Sequence, residues 1–470
     1  MMEEDRMDDF GEMMDLVKRY EDAEAANASL FLDEDSYERI VEFYLENRIF
    51  KRALQVADTA LDVYPYAVEL WIQKAAVLTE QNKFDEALEI LKHAESLDRT
   101  EVPIYLLRAD IYLAQGKHTN ALDMVEEGLQ VADGGMDTAD LLLERADIYE
   151  DMGLYDKVFV ALQEVLSVYQ ENEEALGRIW FAAELSEAFS ASREFHSAYV
   201  EQFPYSQMGW FNLGHANLGL KQYDEAVEAL EYAIAIDDQF EAAYVMLGDV
   251  YAEQEKYREA IDSFLDALKL SRPNKETFCK TGECYARINE FHKARIYFRK
   301  AIAIDPSYDD AFFLVGETYR AEENYEKAVQ AYLRAVKISP DNIEYLNALG
   351  DAFIMNEQVV EAVEVFEKVI LLDHKIKQHF INLATAYYGL EEFSRCMDTM
   401  REGIQRFPED ADLLYIQFVF FWNIRNKHEA MLTLERALML DFSQHSLIFE
   451  MEPDLEQDAV ITQLIEQYRP

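Results

Sequence analysis

Apolar residues recur at helical spacing along most of this chain, in blocks of about a dozen residues broken by two or three polar ones. Four consecutive segments show the pattern best. They read WFNLGHANLGLKQYDEAVEALEYAIAID from Trp210, YVMLGDVYAEQEKYREAIDSFLDALKLS from Tyr244, FCKTGECYARINEFHKARIYFRKAIAID from Phe278 and FFLVGETYRAEENYEKAVQAYLRAVKIS from Phe312. The period is 34 residues. Gly214, Gly248, Gly282, Gly316 and Gly350 fall on it, as do Ala226, Ala260, Ala294, Ala328 and Ala362. Each period predicts two helices of roughly a dozen residues joined by a short turn, A and then B.

Carried outward, the period divides the chain into 34–67, 68–101, 102–135, 139–172, 173–206, 207–240, 241–274, 275–308, 309–342, 343–376, 377–410 and 411–444. One insertion interrupts it, near Gly134, Gly135 and Met136. An acidic segment, 1–33, precedes the repeats, with an amphipathic helix carrying Phe10, Met13, Met14, Val17 and Tyr20. A segment at 445–470 follows, with a helix over Leu455, Ala459, Leu464, Ile465 and Tyr468. No single unit can bury its apolar face alone, so the units must stack, and the ends need covers. The final helix reads as a cap; the first is a cap or a docking helix.

Residue size explains the invariant places. Two helices can cross closely only where a small side chain stands, so Gly248 on A and Ala260 on B mark a crossing. Ala233, Ala267, Ala301 and Ala335 let helix B meet the next unit. Pro65, Pro204, Pro306, Pro340 and Pro408 follow helix B and end it. The fifth unit carries Trp180 at the small place and the twelfth carries Phe418, which puts the helix crossing in question there.

These residues resemble the tetratricopeptide repeat (TPR) family, whose pattern is W-x2-L-G-x2-Y…A-x3-F…P, in its long, cap-ended bacterial form. Trp210, Leu213, Gly214, Ala226 and Leu230 carry it in the sixth unit, and Gly282, Tyr285, Ala294, Phe298 and Pro306 in the eighth. The resemblance implies an all-α fold: an α-solenoid, a right-handed superhelix of about twelve helix-turn-helix repeats with terminal capping helices. It also implies a concave groove lined by A helices.

Charge then narrows the partners. The chain has 470 residues, 93 of them acidic against 43 Lys and Arg, for a net charge of −50. Such a surface repels phosphates and anionic headgroups, so no nucleic-acid partner and no membrane insertion is expected. Seven acids and one Arg in the first fifteen residues do not make a signal peptide. Three cysteines, Cys279, Cys284 and Cys396, fit reduced thiols, and a cytoplasmic location is expected. Repeat eight reverses the trend with Lys275, Lys280, Arg287, Lys293, Arg295, Arg299 and Lys300 against four acids.

No motif for a catalytic nucleophile, a phosphate loop, a dinucleotide fold or a metal is present, so the chain reads as no enzyme, with no cofactor and no metal. The informative polar place lies just after the small residue on helix A, part of the groove that the resemblance implies. It holds Asp110, Asp147, Asp249, Glu283, Glu317 and Asp351, and also Glu42. Two readings of this set stand side by side: a solvated face of a very acidic protein, or a ladder that recognises a basic peptide or helix. A second acidic set, Asp35, Glu69, Asp140, Glu174, Glu276, Asp310, Glu344 and Asp412, is assigned to the first turn of each A helix, where the helix dipole favours anions. Some family members clamp the C-terminal carboxylate of a chaperone tail, but Asp249 and Glu283 would repel one.

The expected function is therefore a non-catalytic protein–protein interaction scaffold or adaptor. It would hold a basic protein or peptide segment in an acidic concave groove. A self-assembling structural protein, with homo-oligomerisation, and a regulatory or targeting subunit of a separately encoded enzyme remain as alternatives.

Overall fold

A computed structural model describes residues 2–26, 31–270 and 274–469, with side chains from residue 12 onward. Phe10 lies outside the described side chains. Among the described residues all regular structure is helical, and two compact units are formed, Met1–Asp238 and Gln239–Pro470.

The first unit opens with α1 (Met2–Ala25). Three pairs follow: α2 (Glu34–Glu46) with α3 (Phe50–Val63), α4 (Val68–Glu80) with α5 (Phe84–Leu97), and α6 (Val102–Ala114) with α7 (His118–Val131). Three more are α8 (Gly135–Asp151) with α9 (Tyr155–Val168), α10 (Glu173–Leu185) with α11 (Phe189–Gln202), and α12 (Gln207–Gly219) with α13 (Tyr223–Ile236).

The second unit has the same build: α14 (Glu241–Glu253) with α15 (Tyr257–Leu270), α16 (Lys275–Arg287) with α17 (Phe291–Ile304), and α18 (Asp309–Ala321) with α19 (Tyr325–Ile338). Then come α20 (Ile343–Met355) with α21 (Val359–Leu372), α22 (Lys377–Gly389) with α23 (Phe393–Arg406), and α24 (Ala411–Asn423) with α25 (Lys427–Leu440). The short α26 (Leu447–Met451) and α27 (Ala459–Gln467) close it. The repeating solenoid build that the periodicity predicts is thus present in both units.

The turn inside every pair is the same device. Its central residue has positive φ: Arg48, Asn82, Gly116, Gly153, Glu187, Lys221, Glu255, Asn289, Glu323, Glu357, Glu391 and Arg425. The next amide then reaches back to the carbonyl five residues earlier, as in Lys256 N–H to Tyr251 O at 2.8 Å and Gln358 N–H to Phe353 O at 2.8 Å. This closes the orphan carbonyls at the end of helix A. Helix B starts immediately, which holds the two helices antiparallel. Several A helices carry side-chain caps at their start, among them Asn172, Ser206, Asn274, Asn342 and Asp410.

The crossing follows the expected sizes. A methyl built on Gly248 would lie 2.5 Å from the Phe264 ring, and one on Gly282 2.5 Å from Phe298. Gly214, Gly316 and Gly350 face Leu230, Tyr332 and Phe366 in the same way. Ala226, Ala260, Ala294, Ala328 and Ala362 are fully buried. Trp71 and Trp210 each donate an indole N–H to the carbonyl of the proline before their helix, at 3.1 and 2.9 Å.

The two irregular repeats part company. Phe418 is buried without disturbing its pair, because Leu434, Ile448, Leu455 and Ile461 close around it. Trp180 does disturb its pair: α10 packs on α9 and α12 more than on α11. Its ring turns toward α12, edge-on to Phe211 and His215 at 6.2 and 5.3 Å. The buried Ser192 and His196 stand on α11 where most other B helices place alanine and an aromatic or leucine.

The inserted residues lengthen α8, which begins at Gly135 and has 17 residues where other A helices have 13. That corrects one assignment. Asp140 is the sixth residue of α8 and not in its first turn, so the dipole does not account for it; Asp137 stands there instead. Desolvation, with Asp137 and Glu174 nearby, holds the Asp140 carboxyl above the usual range.

Both terminal helices cover apolar surface. On α1, Val17 and Tyr20 are buried in a cluster with Tyr37, Ile40 and Tyr44. Glu21 accepts from Tyr44 Oη at 2.8 Å, and Glu24 pairs with Arg52 at 2.7 Å. On α27, Ile461, Leu464 and Ile465 join the core of the last pair.

Candidate functional site

Within each unit several neighbouring A helices touch. α2 meets α4, α4 meets α6, α6 meets α8 and α10 meets α12; in the second unit α16 meets α18 and α22 meets α24. B helices reach the next pair mainly through its A helix. Two of the residues after the small one reach the next A helix: Asp147 on α8 meets Arg178 on α10, and Asp249 on α14 meets Lys280 on α16. In the first unit a cleft of about 660 Å³ between α2, α4 and α6 is lined by Leu45, Glu46, Ala76, Thr79, Leu107 and Asp110.

The six candidate carboxylates fall into two groups. In the first unit Asp110 on α6 is brought together with Asp147 on α8. Asp110 shares a side-chain hydrogen bond with Glu144, and Asp147 adds like charge. Burial and these neighbours push the Glu144 carboxyl up to about 8, and Asp110 is raised as well. Two carboxyls this close cannot both ionise freely, so one proton is retained between them. Asp147 is also raised by burial, although Arg178 donates to it at 2.5 Å and opposes the shift. Arg178 also reaches Glu150 and Glu174, each at 2.7 Å. On α2, two A helices before α6, burial with Glu69, Glu34, Asp35 and Glu42 nearby pushes Glu38 up to about 7.

In the second unit, Asp249 on α14 pairs with Lys280 on α16 at 2.7 Å, and Lys280 also lies in the field of Glu283. Glu317 on α18 pairs with Arg320 and accepts from Tyr332 Oη. Arg320 also lies in the field of Asp351 on α20. Burial nevertheless holds Asp249, Glu283 and Asp351 above the usual carboxylate range.

Sequence reasoning finds the acids and misses their companions. Glu144, Arg178 and Lys280 share one place in the repeat, two residues before the small position, and a register-by-register reading of that place would find them. Arg320 follows Glu317 by three residues, the ordinary helical spacing for an ion pair.

The basic residues of repeat eight are largely engaged by the chain itself. Lys275 pairs with Asp305 at 2.6 Å, Lys293 with Glu290 at 2.5 Å and Arg295 with Glu322 at 2.9 Å. Lys300 lies 4.4 Å from the centre of the Tyr297 ring. Cys279, Cys284 and Cys396 are buried, and burial pushes each thiol up to about 12, far from the thiolate that reactivity needs. Among the described residues no helix is long and apolar enough to cross a membrane.

Comparison with known families matches tetratricopeptide repeat models to residues 68–101, 208–240, 245–309 and 316–357. A model of anaphase-promoting complex subunit 5 matches residues 364–430. No curated protein matches significantly. Among solved structures, MamA from Desulfovibrio magneticus RS-1 is 24% identical, covering 35% of this chain and 93% of its own, with a TM-score of 0.33. YrrB, described as a TPR protein with an unusual peptide-binding site, is 20% identical over 38% of this chain and 92% of its own, with a TM-score of 0.33. The anaphase-promoting complex hetero-tetramer Cut9–Hcn1 is 15% identical over 97% of this chain and 99% of that one, with a TM-score of 0.34.

Proposed function

Because this chain is a tetratricopeptide repeat protein, we propose that it is a non-catalytic scaffold that holds a basic segment of a partner protein along its A-helix rows. One observation carries this reading. Burial raises five of the six candidate carboxyls, Asp110, Asp147, Asp249, Glu283 and Asp351, despite the cations placed among them. These groups are under-compensated at rest. A Lys or Arg arriving from a partner supplies the missing charge in a place already partly shielded from water, where an ion pair counts for more than on an open surface.

The partner segment's bases would compete with Lys280, Arg178 and Arg320, so binding is an exchange of ion pairs more than a simple addition. The excess of carboxylates makes the exchange favourable. It also makes binding release protons, since Glu144 and Asp110 give up their shared proton when a cation arrives.

The test is affinity purification of the whole protein at low and high salt, set beside the variant carrying Asp249→Asn, Glu283→Gln, Glu317→Gln and Asp351→Asn. A Lys/Arg-rich partner lost both at high salt and in the variant supports the reading. A partner retained in both moves the working surface off the A-helix rows and overturns it.

A further inference from the structure

The fifth repeat departs from the pattern at more than its tryptophan. At the fifth place of the repeat, others carry Glu38, Ile72, Leu106, Leu143, Phe211, Val245, Cys279, Phe313, Asn347, Ile381 and Tyr415; this one carries Gly177. A methyl built on Gly177 would meet nothing within 4 Å, so packing does not demand a glycine there, and its φ is not in the left-handed region. Glycine inside a helix costs about 1 kcal/mol relative to alanine. The chain gives up helix stability to keep this spot empty.

Beside it, α10 packs more on α9 and α12 than on α11. Gly177 lines a surface cleft of about 920 Å³ at the edge where α9, α10, α11 and α12 end and begin. Leu176 and Tyr199 are buried in its floor, with Phe203 and Met208 beside them. Tyr199 is fixed there by its hydroxyl, which donates to Gln170 O at 2.8 Å. Tyr205 stands at the rim and is 85% exposed. Glu171 and Glu173 complete the rim, and no Lys or Arg is among the lining residues. The neighbouring helix starts are already capped by Asn172 and Ser206, so they offer an anion little.

We infer that this cleft is a second docking site, separate from the carboxylate rows, for a peptide segment that inserts one bulky apolar or aromatic side chain beside a Lys or Arg. The apolar floor accepts the anchor, the exposed tyrosine closes over it, and Glu171 and Glu173 pair with the adjacent cation. Buried aromatic anchors ringed by polar groups are the usual energetic centres of such contacts. The acidic rim is what selects a basic peptide over an acidic or neutral one.

The test is selection of phage-displayed random short peptides on the whole protein, followed by binding of the enriched synthetic peptides to three variants. Gly177→Leu fills the notch, and because it replaces a helix-interior glycine in open space it should hold or raise the melting temperature. Tyr205→Ser removes the rim aromatic. Glu283→Gln with Asp351→Asn alters the carboxylate rows instead. The expected result is peptides that pair a bulky apolar residue with Lys or Arg. Their affinity should fall about tenfold or more in Gly177→Leu and Tyr205→Ser and stay unchanged in the double variant. Peptides lacking that pairing, equal binding to Gly177→Leu, loss only in the double variant, or no enrichment at all would each overturn the assignment.

Discussion

At the residue scale, a single absent side chain sets how closely two helices meet. Gly248 lies under the fully packed ring of Phe264, and nothing larger fits without moving that ring. Gly248→Val should therefore cost about 1–3 kcal/mol, the usual penalty for overpacking, read as a lower melting temperature by circular dichroism. The carboxyl pair makes a prediction of opposite sign. Glu144 holds its proton up to about 8 in the folded protein, well above its ordinary value. Its contribution to stability is full at low pH and fades as pH rises toward 8, because folding then strains against ionisation. Glu144→Gln should stabilise the protein by about 1–2 kcal/mol at pH 8 and by much less at pH 5. Equal shifts at both pH values would refute the shared proton. The glycines were legible in the sequence because they recur on the period. The role of Glu144 was not, because its pKa depends on Asp110, 34 residues away, coming within hydrogen-bonding reach.

At the element scale, the twelve turns with positive φ follow one rule with uneven chemistry. Ten of them place a residue with a side chain where glycine is at ease. Glu357→Gly should gain about 0.5–1 kcal/mol by relieving that conformation, while Gly116→Ala should lose a similar amount. Paired urea titrations check both signs. Helix pairing was readable from apolar spacing, and pattern alone also marked Trp180 as a disturbance. What it could not provide was the outcome. Phe418 offends in the same way, yet its pair stays closed because α26, α27 and their flanks lie over it. Trp180 has no such cover and turns to the next helix instead. The extra turn on α8 was hidden for a related reason: the period marks an insertion near Gly134, Gly135 and Met136 but not what it builds, and the helix begins at Gly135.

At the scale of the whole molecule, charge sets the conditions under which the fold persists. A net charge of −50 repels itself throughout the chain, and surface ion pairs offset only part of it. Raising salt from ~10 to ~150 mM should raise the melting temperature, since the screening length shrinks to about 8 Å. A fall would mean that the internal ion pairs outweigh the repulsion. The acidic balance was plain from composition. Its distribution was not, because the apparent basic island of repeat eight dissolves into pairs with Asp305, Glu290 and Glu322 once the helices are in place.

The recurring turn that joins each A helix to its B helix has a mechanical consequence. Each turn is closed by its own short backbone hydrogen bonds, and among the described residues each pair packs chiefly on its neighbours. A pulling force applied along the chain therefore meets chiefly contacts between neighbouring pairs before yielding begins. The load should be shed pair by pair, as a train of small, evenly spaced extensions at modest force, and regained in the same increments on relaxation.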